Sequence, residues 1–291
     1  MIFKGTGVAL VTPINENGDV DLKALGKVVR YASKADYLVA LGTTGESATL
    51  SDQEKELVVD AVIRHNVKDL PLIVGMGSNN TTELCRKLRS WSPPASVKAI
   101  LSVSPYYNKP SQEGLYRHFM EVADNSPRPV VLYNVPGRTG QNMTAETTLR
   151  LAVHPNICGI KEASGNVEQC LKIAAGAPRG FQLISGDDMH TTTIMAMGGV
   201  GVISVLANAW PAEFRKITGL AAVGRFQDAA RLLSRFGEIN PLLYEEGNPG
   251  GIKTVMHELG LCSDAVRLPL VTASEGLRKR ISEKLKDKKK G

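Results

Sequence analysis

The stretch Ile157-Cys158-Gly159-Ile160-Lys161-Glu162-Ala163 decides how the chain reads. Its apolar, partly β-branched run predicts a buried strand, and Lys161 sits where the run meets its first charges. Burial disfavours an ammonium, so a lysine held in such a strand becomes a neutral amine more readily. A neutral amine can attack a carbonyl and form an imine. The alternative is a lysine at a strand end that snorkels to water or pairs with Glu162.

Working outward, comparable runs recur at residues 7–14, 37–41, 71–75, 97–103, 129–133, 158–161, 181–185 and 200–205, which makes eight strand candidates. Between them lie segments of helical spacing, among them Leu22-Leu25-Val28-Val29, Leu57-Val58-Ala61-Val62 and Leu115-Phe119-Val122. Strict strand–helix alternation requires parallel pairing through crossovers. Strands that are apolar on both sides must be covered on both faces. The expected fold is therefore α/β, a (β/α)8 barrel over residues 1–224. No Gly-x-Gly-x-x-Gly follows the first strand and no Gly-x-x-x-x-Gly-Lys-Ser/Thr occurs, so the nucleotide-binding alternatives lack their phosphate loops. Beyond Trp210 the alternation stops. Residues 212–223, 226–236, 251–259 and 273–286 read as helices, with Asn248-Pro249-Gly250-Gly251 as punctuation. The first completes the barrel, and the others form a small C-terminal helical extension over residues 225–291.

Composition removes several classes of function. The 291 residues are 43% hydrophobic and 22% charged, as in an ordinary globular protein. No apolar run approaches the ~18 residues of a membrane span. The start, Met1-Ile2-Phe3-Lys4-Gly5, lacks the layout of a signal peptide, so the cytoplasm is the expected compartment. Cys85, Cys158, Cys170 and Cys262 form no Cys-x-x-Cys pair, and free, mostly buried thiols are expected. The five histidines show no ligand spacing, and no metal site is expected. The net charge of +6 lies entirely in residues 278–291, where eight Lys/Arg face two Asp/Glu. Such a run reads as a frayed, solvated tail, and without aromatic residues it does not read as a nucleic-acid surface.

In an α/β barrel the chemistry sits at the C-terminal ends of the strands. There this chain carries Gly42-Thr43-Thr44-Gly45-Glu46-Ser47, Pro105-Tyr106-Tyr107-Asn108, Tyr133-Asn134-Val135-Pro136-Gly137-Arg138-Thr139-Gly140, Lys161 and Ser185-Gly186-Asp187-Asp188. Singly, each has a structural alternative: the first could be a turn leading to the helix cap Ser51-x-x-Glu54, and the tyrosines could be packing. Five of them at one rim favour a site.

These segments, in this order over nearly the whole chain, resemble the dihydrodipicolinate synthase family of pyruvate-dependent, class I aldolase-like lyases. The resemblance implies condensation of pyruvate with L-aspartate 4-semialdehyde in lysine and diaminopimelate biosynthesis, with no external cofactor. Lys161 would form the Schiff base and Tyr133 would shuttle protons, since a phenol both donates and accepts. The Thr43-Thr44 turn offers donors for the pyruvate carboxylate. The resemblance also implies that Thr43 links Tyr133 to Tyr107, and that Tyr107 reaches in from a neighbouring subunit. It therefore implies an obligate oligomer, and the family's usual state makes a homotetramer built as a dimer of dimers the expectation. Arg138 has the planar fork that suits the second substrate's carboxylate, its alternative being a structural rim salt bridge. Gly186 and Ile203 would line the imine pocket, while Asp187 and Asp188 are expected to cap the next helix.

Related N-acetylneuraminate lyase and keto-deoxy-gluconate aldolase activities would share Lys161 and Tyr133 without needing Arg138. A barrel kept only for binding would leave Lys161 unreactive. The resemblance also implies that lysine, which many family members bind as a feedback effector, would bind near Ser47, Ala48, Asn79, Glu83 and Tyr106. Lys55, beside Asp52, stands where lysine-sensitive relatives carry His or Glu, so weak or absent inhibition is expected.

Overall fold

The computed structural model describes residues 3–290, with side chains described to Lys286. Met1, Ile2 and Gly291, which enter the expectations for the two ends, lie outside the described residues. Eight parallel strands close into a barrel in sequence order. They are β1 (Gly5–Ala9), β2 (Tyr37–Ala40), β3 (Leu72–Gly75), β4 (Val97–Val103), β5 (Val130–Asn134), β6 (Ile157–Glu162), β7 (Gln182–Ser185) and β8 (Gly201–Ser204). The barrel helices are α1 (Leu22–Ala32), α2 (Asp52–His65), α3 (Thr81–Ser90), α4 (Gln112–Asn125), α5 (Pro136–Thr139), α6 (Ala145–Leu151), α7 (Val167–Gly176), α8 (Thr191–Ala196) and α9 (Pro211–Ala222). Apart from Lys98 of β4, which is exposed, the strands are buried or half-buried on both faces. Ala9, Val39, Ile73, Ala99, Leu101, Val131, Tyr133, Ile184 and Ile203 fill one apolar cluster inside the barrel, and the alternate positions pack under the helices. A fully buried side chain of this kind contributes about 1.5–3 kcal/mol.

Closure depends on β1 against β8, where Gly5 pairs with Gly201. Gly201 has φ +154°, and a Cβ there would lie 1.8 Å from the Gly5 carbonyl oxygen, so only glycine lets the two strands meet. The first strand is shorter than residues 7–14. Leu10 N still donates to the Val39 carbonyl at 2.9 Å, and beyond it side chains take over from the ladder. Asn208 accepts from Val11 N at 3.1 Å and donates to the Ala9 carbonyl at 2.7 Å, while Thr12 Oγ1 donates to the Gly45 carbonyl at 2.7 Å. The expected cap at α2 is present: Glu54 N donates to Ser51 Oγ at 3.2 Å and Ser51 N to Glu54 Oε2 at 2.8 Å.

The C-terminal part contains α10 (Phe226–Ser234), α11 (Gly250–Glu258) and α12 (Glu275–Lys290). The expected frayed tail is corrected: residues 275–290 are helical, because Leu277, Ile281 and Leu285 recur every four residues and are buried. Arg278 pairs with Asp264 at 2.5 Å, Lys284 with Glu238 at 2.7 Å, and Arg280 with Glu245. The apolar cluster that holds these three residues also contains Phe214, Ile217, Val202 and Val8, so this part docks on the α9 side of the barrel. Among the described residues no helix is long and apolar enough to cross a membrane.

Asp187 and Asp188 do not cap α8, whose N-cap has no side-chain bond. Asp187 Oδ1 instead accepts from Met189 N at 2.8 Å in a local turn. Asp188 Oδ2 accepts from Val205 N at 3.1 Å and Leu206 N at 3.0 Å, tying the end of β8 to the loop after β7. Complete burial pushes the Asp188 carboxyl up from 3.8 to about 6. Because the folded-state value lies above the unfolded one, ionisation of Asp188 opposes folding: stability falls as pH rises from about 4 to about 6, by about 3 kcal/mol, and stays lower above that. Asp188→Asn removes this component while keeping an acceptor for the two amides. Its stability relative to the parent chain should therefore rise by about that amount between pH 4 and 6.5. Denaturant unfolding at both pH values measures the difference, and parallel pH profiles would refute the burial of a charged carboxylate.

Candidate active site

Strand alternation separates Lys161 from Glu162. Lys161 points into the barrel mouth at 6% exposure, with Nζ 4.4 Å from the centroid of the Tyr133 ring. Tyr133 is its direct neighbour in the β5–β6 register. Glu162 points outward, where it accepts from Asn134 Nδ2 at 3.0 Å, Ser164 N at 2.7 Å and Gln169 Nε2 at 2.9 Å. The carboxylate is thus satisfied on the far side of the sheet, and no ion pair among the described residues includes Lys161. The snorkelling and Glu162-paired alternatives both fail. The site presents a buried amine beside a phenol, over an apolar floor that includes Ile203 and Ile184.

Thr43 and Thr44 lie in a 3-10 turn, Thr43–Gly45, that follows β2. Thr44 is buried at 3% exposure and Thr43 half-buried. The next residue but one, Glu46, takes a left-handed backbone, φ 53°, and buries its carboxylate against the fully buried Lys253 of α11. Lys253 Nζ also donates to the Ala265 carbonyl at 2.8 Å, and Glu46 Oε2 accepts from Arg267 N at 3.0 Å. Burial pulls the Lys253 ammonium below its ordinary value, and Glu46 opposes that pull. Arg267 further donates to the Gly18 and Thr49 carbonyls at 2.7 and 2.9 Å and grips Glu54, whose carboxyl is held down at about 2 chiefly by that contact. Asn248 Nδ2 donates to Thr44 Oγ1 at 3.0 Å.

At the rim, Arg138 is exposed on α5, and no ion pair or hydrogen bond among the described residues engages its guanidinium. The structural salt bridge is therefore absent. Gly186 lies against Lys161: a Cβ there would sit 3.1 Å from Lys161 Cγ and 2.6 Å from Ala163 Cβ. Tyr244 also faces this mouth. Although Tyr244 is 40% exposed, the burial it does have, with the charges of Asp188, Asp187 and Tyr133, raises its phenol above the ordinary value, and Arg138 opposes the rise.

Tyr107 is 88% exposed with φ 74°, so its ring leaves the chain surface. Within one chain, among the described residues, Thr43 makes no side-chain hydrogen bond to Tyr133 or Tyr107. Tyr106 is exposed, and its carbonyl accepts from Asn79 Nδ2 at 3.1 Å. Near it Glu83 is taken by Arg86 in a two-point contact at 2.9 and 2.7 Å. Asp52 pairs with Lys87 at 2.8 Å and with Lys55 at 3.4 Å. Ser47 is half-buried and Ala48 exposed on the turn before α2.

Glu46, Tyr244, Asn248, Lys253 and Arg267 were not singled out by sequence reasoning. One signal was available: Lys253 is a lone lysine inside the apolar run Gly250-Gly251-Ile252-Lys253-Thr254-Val255-Met256, the same anomaly that marks Lys161.

Residues 2–288 match the Dihydrodipicolinate synthetase family. A 4-hydroxy-tetrahydrodipicolinate synthase of Cytophaga hutchinsonii is 46% identical over 283 residues, covering 97% of this chain and 95% of the relative. The crystal structure of a chloride-inhibited dihydrodipicolinate synthase from Acinetobacter baumannii, complexed with pyruvate, superposes with TM-score 0.93 at 38% identity over 99% of both chains. A monomeric dihydrodipicolinate synthase variant superposes with TM-score 0.93 at 34% identity, over 98% of this chain and 97% of that one. The chain belongs to the dihydrodipicolinate synthetase family.

Proposed function

We propose that this chain is a 4-hydroxy-tetrahydrodipicolinate synthase, condensing pyruvate with L-aspartate 4-semialdehyde in lysine and diaminopimelate biosynthesis. The observation that carries the reading is a buried lysine without an anionic partner, set against a tyrosine ring at the barrel mouth. Lys161 Nζ attacks the keto carbon of pyruvate, and loss of water gives an imine. The imine withdraws electrons from the methyl group, whose deprotonation yields an enamine, the carbon nucleophile that attacks the aldehyde. The amine of the second substrate then displaces Lys161 from the imine carbon, closing the ring and regenerating the catalyst. Tyr133 passes protons at the carbinolamine and aldol steps. Thr43 and Thr44 bind the pyruvate carboxylate, Gly186 and Ile203 shape the imine pocket, and the free guanidinium of Arg138 receives the carboxylate of the semialdehyde.

Lys161→Ala is expected to lower turnover by several orders of magnitude in a folded protein, because nucleophile and carbon activation vanish together. Borohydride in the presence of pyruvate should add a reduced adduct at Lys161 of the parent chain and none in the variant. Near-parental turnover of the variant would remove the imine mechanism. Arg138→Ala is expected to reduce kcat/KM for the semialdehyde at least about tenfold while leaving pyruvate trapping intact. Loss of trapping as well would show that Arg138 serves the first substrate, and undiminished use of the semialdehyde would favour the sugar-acid aldolases.

The same reading takes the protein to be cytoplasmic and a tetramer of two dimers, with Tyr107 completing the Tyr133–Thr43 relay of a partner subunit. The exposure of Tyr107 and the open relay within one chain support it. For lysine as effector, the surface around Ser47, Ala48, Lys55, Asn79, Glu83 and Tyr106 is unfavourable. Its two carboxylates, Asp52 and Glu83, are engaged by Lys55, Lys87 and Arg86, which leaves a surplus cation. A second cation about 4 Å away costs about 1 kcal/mol in water and about 4 at an effective dielectric near 20. Millimolar lysine should therefore inhibit weakly or not at all, and Lys55→Glu should increase sensitivity. Strong inhibition of the parent chain by sub-millimolar lysine would overturn this.

A further inference from the structure

Asn248 reaches the barrel mouth from the segment that leads into α11. Its side chain is buried at 5% exposure, and its amide nitrogen donates to Thr44 Oγ1 at 3.0 Å. A hydroxyl carries one proton and two acceptor positions. With Asn248 occupying an acceptor position, the Thr44 proton remains to be donated, and among the described residues no protein acceptor takes it. The Asn248 Oδ1 is buried without a partner. In this orientation the Thr44 proton is left for an incoming acceptor, whereas a reversed amide would take that proton itself. Asn248 is itself fixed from the same segment: Lys253 N donates to the Pro249 carbonyl at 2.9 Å, and the Lys253 ammonium is locked to Glu46, two residues from Thr44.

We propose that Asn248 is a positioning residue that commits the Thr44 hydroxyl to donating its proton to the carboxylate of the keto acid. This rests on the reading of Thr44 as a carboxylate donor. Asn248 does not touch the substrate; it sets which way the hydroxyl faces electrically. A helix outside the barrel would thereby tune the first substrate's affinity while leaving the nucleophile alone.

The test is the pyruvate concentration giving half-maximal borohydride trapping, measured with steady-state constants for both substrates. Asn248→Ala should raise that concentration about tenfold or more, with KM for the semialdehyde within about twofold. Asn248→Asp keeps the shape but can only accept, so it captures the Thr44 proton and sets a negative charge near the anion; it should be worse than alanine. In a Thr44→Val background, Asn248→Ala should add no further loss, since the group it acts through is gone. Additive losses in that pair, or an aspartate variant better than the alanine one, would reduce Asn248 to packing and overturn the proposal. Unchanged pyruvate affinity in Thr44→Val alone would instead overturn the role of Thr44 on which it rests.

Discussion

The contact between Glu46 and Lys253 is the constraint around which the barrel mouth is organised. Both charges are removed from water, and their attraction is supplemented by the Ala265 carbonyl on one side and the Arg267 amide on the other. Such a pair adds little net stability over an apolar substitute, but removing one partner strands a buried charge at a cost of about 3–5 kcal/mol. The pair therefore acts as a register pin. It holds Glu46 in a left-handed conformation and so fixes the turn that carries Thr43 and Thr44, while Arg267 clamps the following turn and the α2 cap through Thr49 and Glu54.

A second constraint keeps the nucleophile unpaired. Lys161 and Glu162 are adjacent in sequence, and in a loop they would neutralise each other. The pleat of β6 sends them to opposite faces, and the outward face supplies Asn134, Ser164 and Gln169 so that Glu162 has no reason to return. Inside the barrel, among the described residues, Lys161 meets the Tyr133 ring, apolar walls and the bare backbone of Gly186. The proposed reactivity of Lys161 rests on this division of one dipeptide between two environments.

Recognition of the substrates is divided in a similar way. On the proposed reading the pyruvate side is the more buried one, built on a turn braced by α11 and the Arg267 segment. On that reading the second-substrate side is the open one: Arg138 on a single-turn helix, Tyr244 on an extension loop, and Tyr107 projecting from the surface.

Much of this was legible in the sequence. Eight two-sided apolar runs alternating with helical spacing are local patterns, and they specify a parallel barrel because no other arrangement covers both faces of every strand. Lys161, Tyr133, Arg138 and the Ser51–Glu54 cap fall at ends of those runs, so their position along the chain already places them at one rim. What the sequence could not supply were contacts between distant loops. Glu46 meets Lys253 across 207 residues and Thr44 meets Asn248 across 204, and neither pairing leaves a periodic trace. The early end of β1 and the helix formed by the basic C-terminal run belong to the same class. In each, a backbone or charged group was satisfied by a partner that only closure of the barrel brought near. The sequence determined which segments must be buried and which residues stand at their ends; the tertiary structure decided which buried polar groups pair, because burial makes an unpaired one too costly to leave.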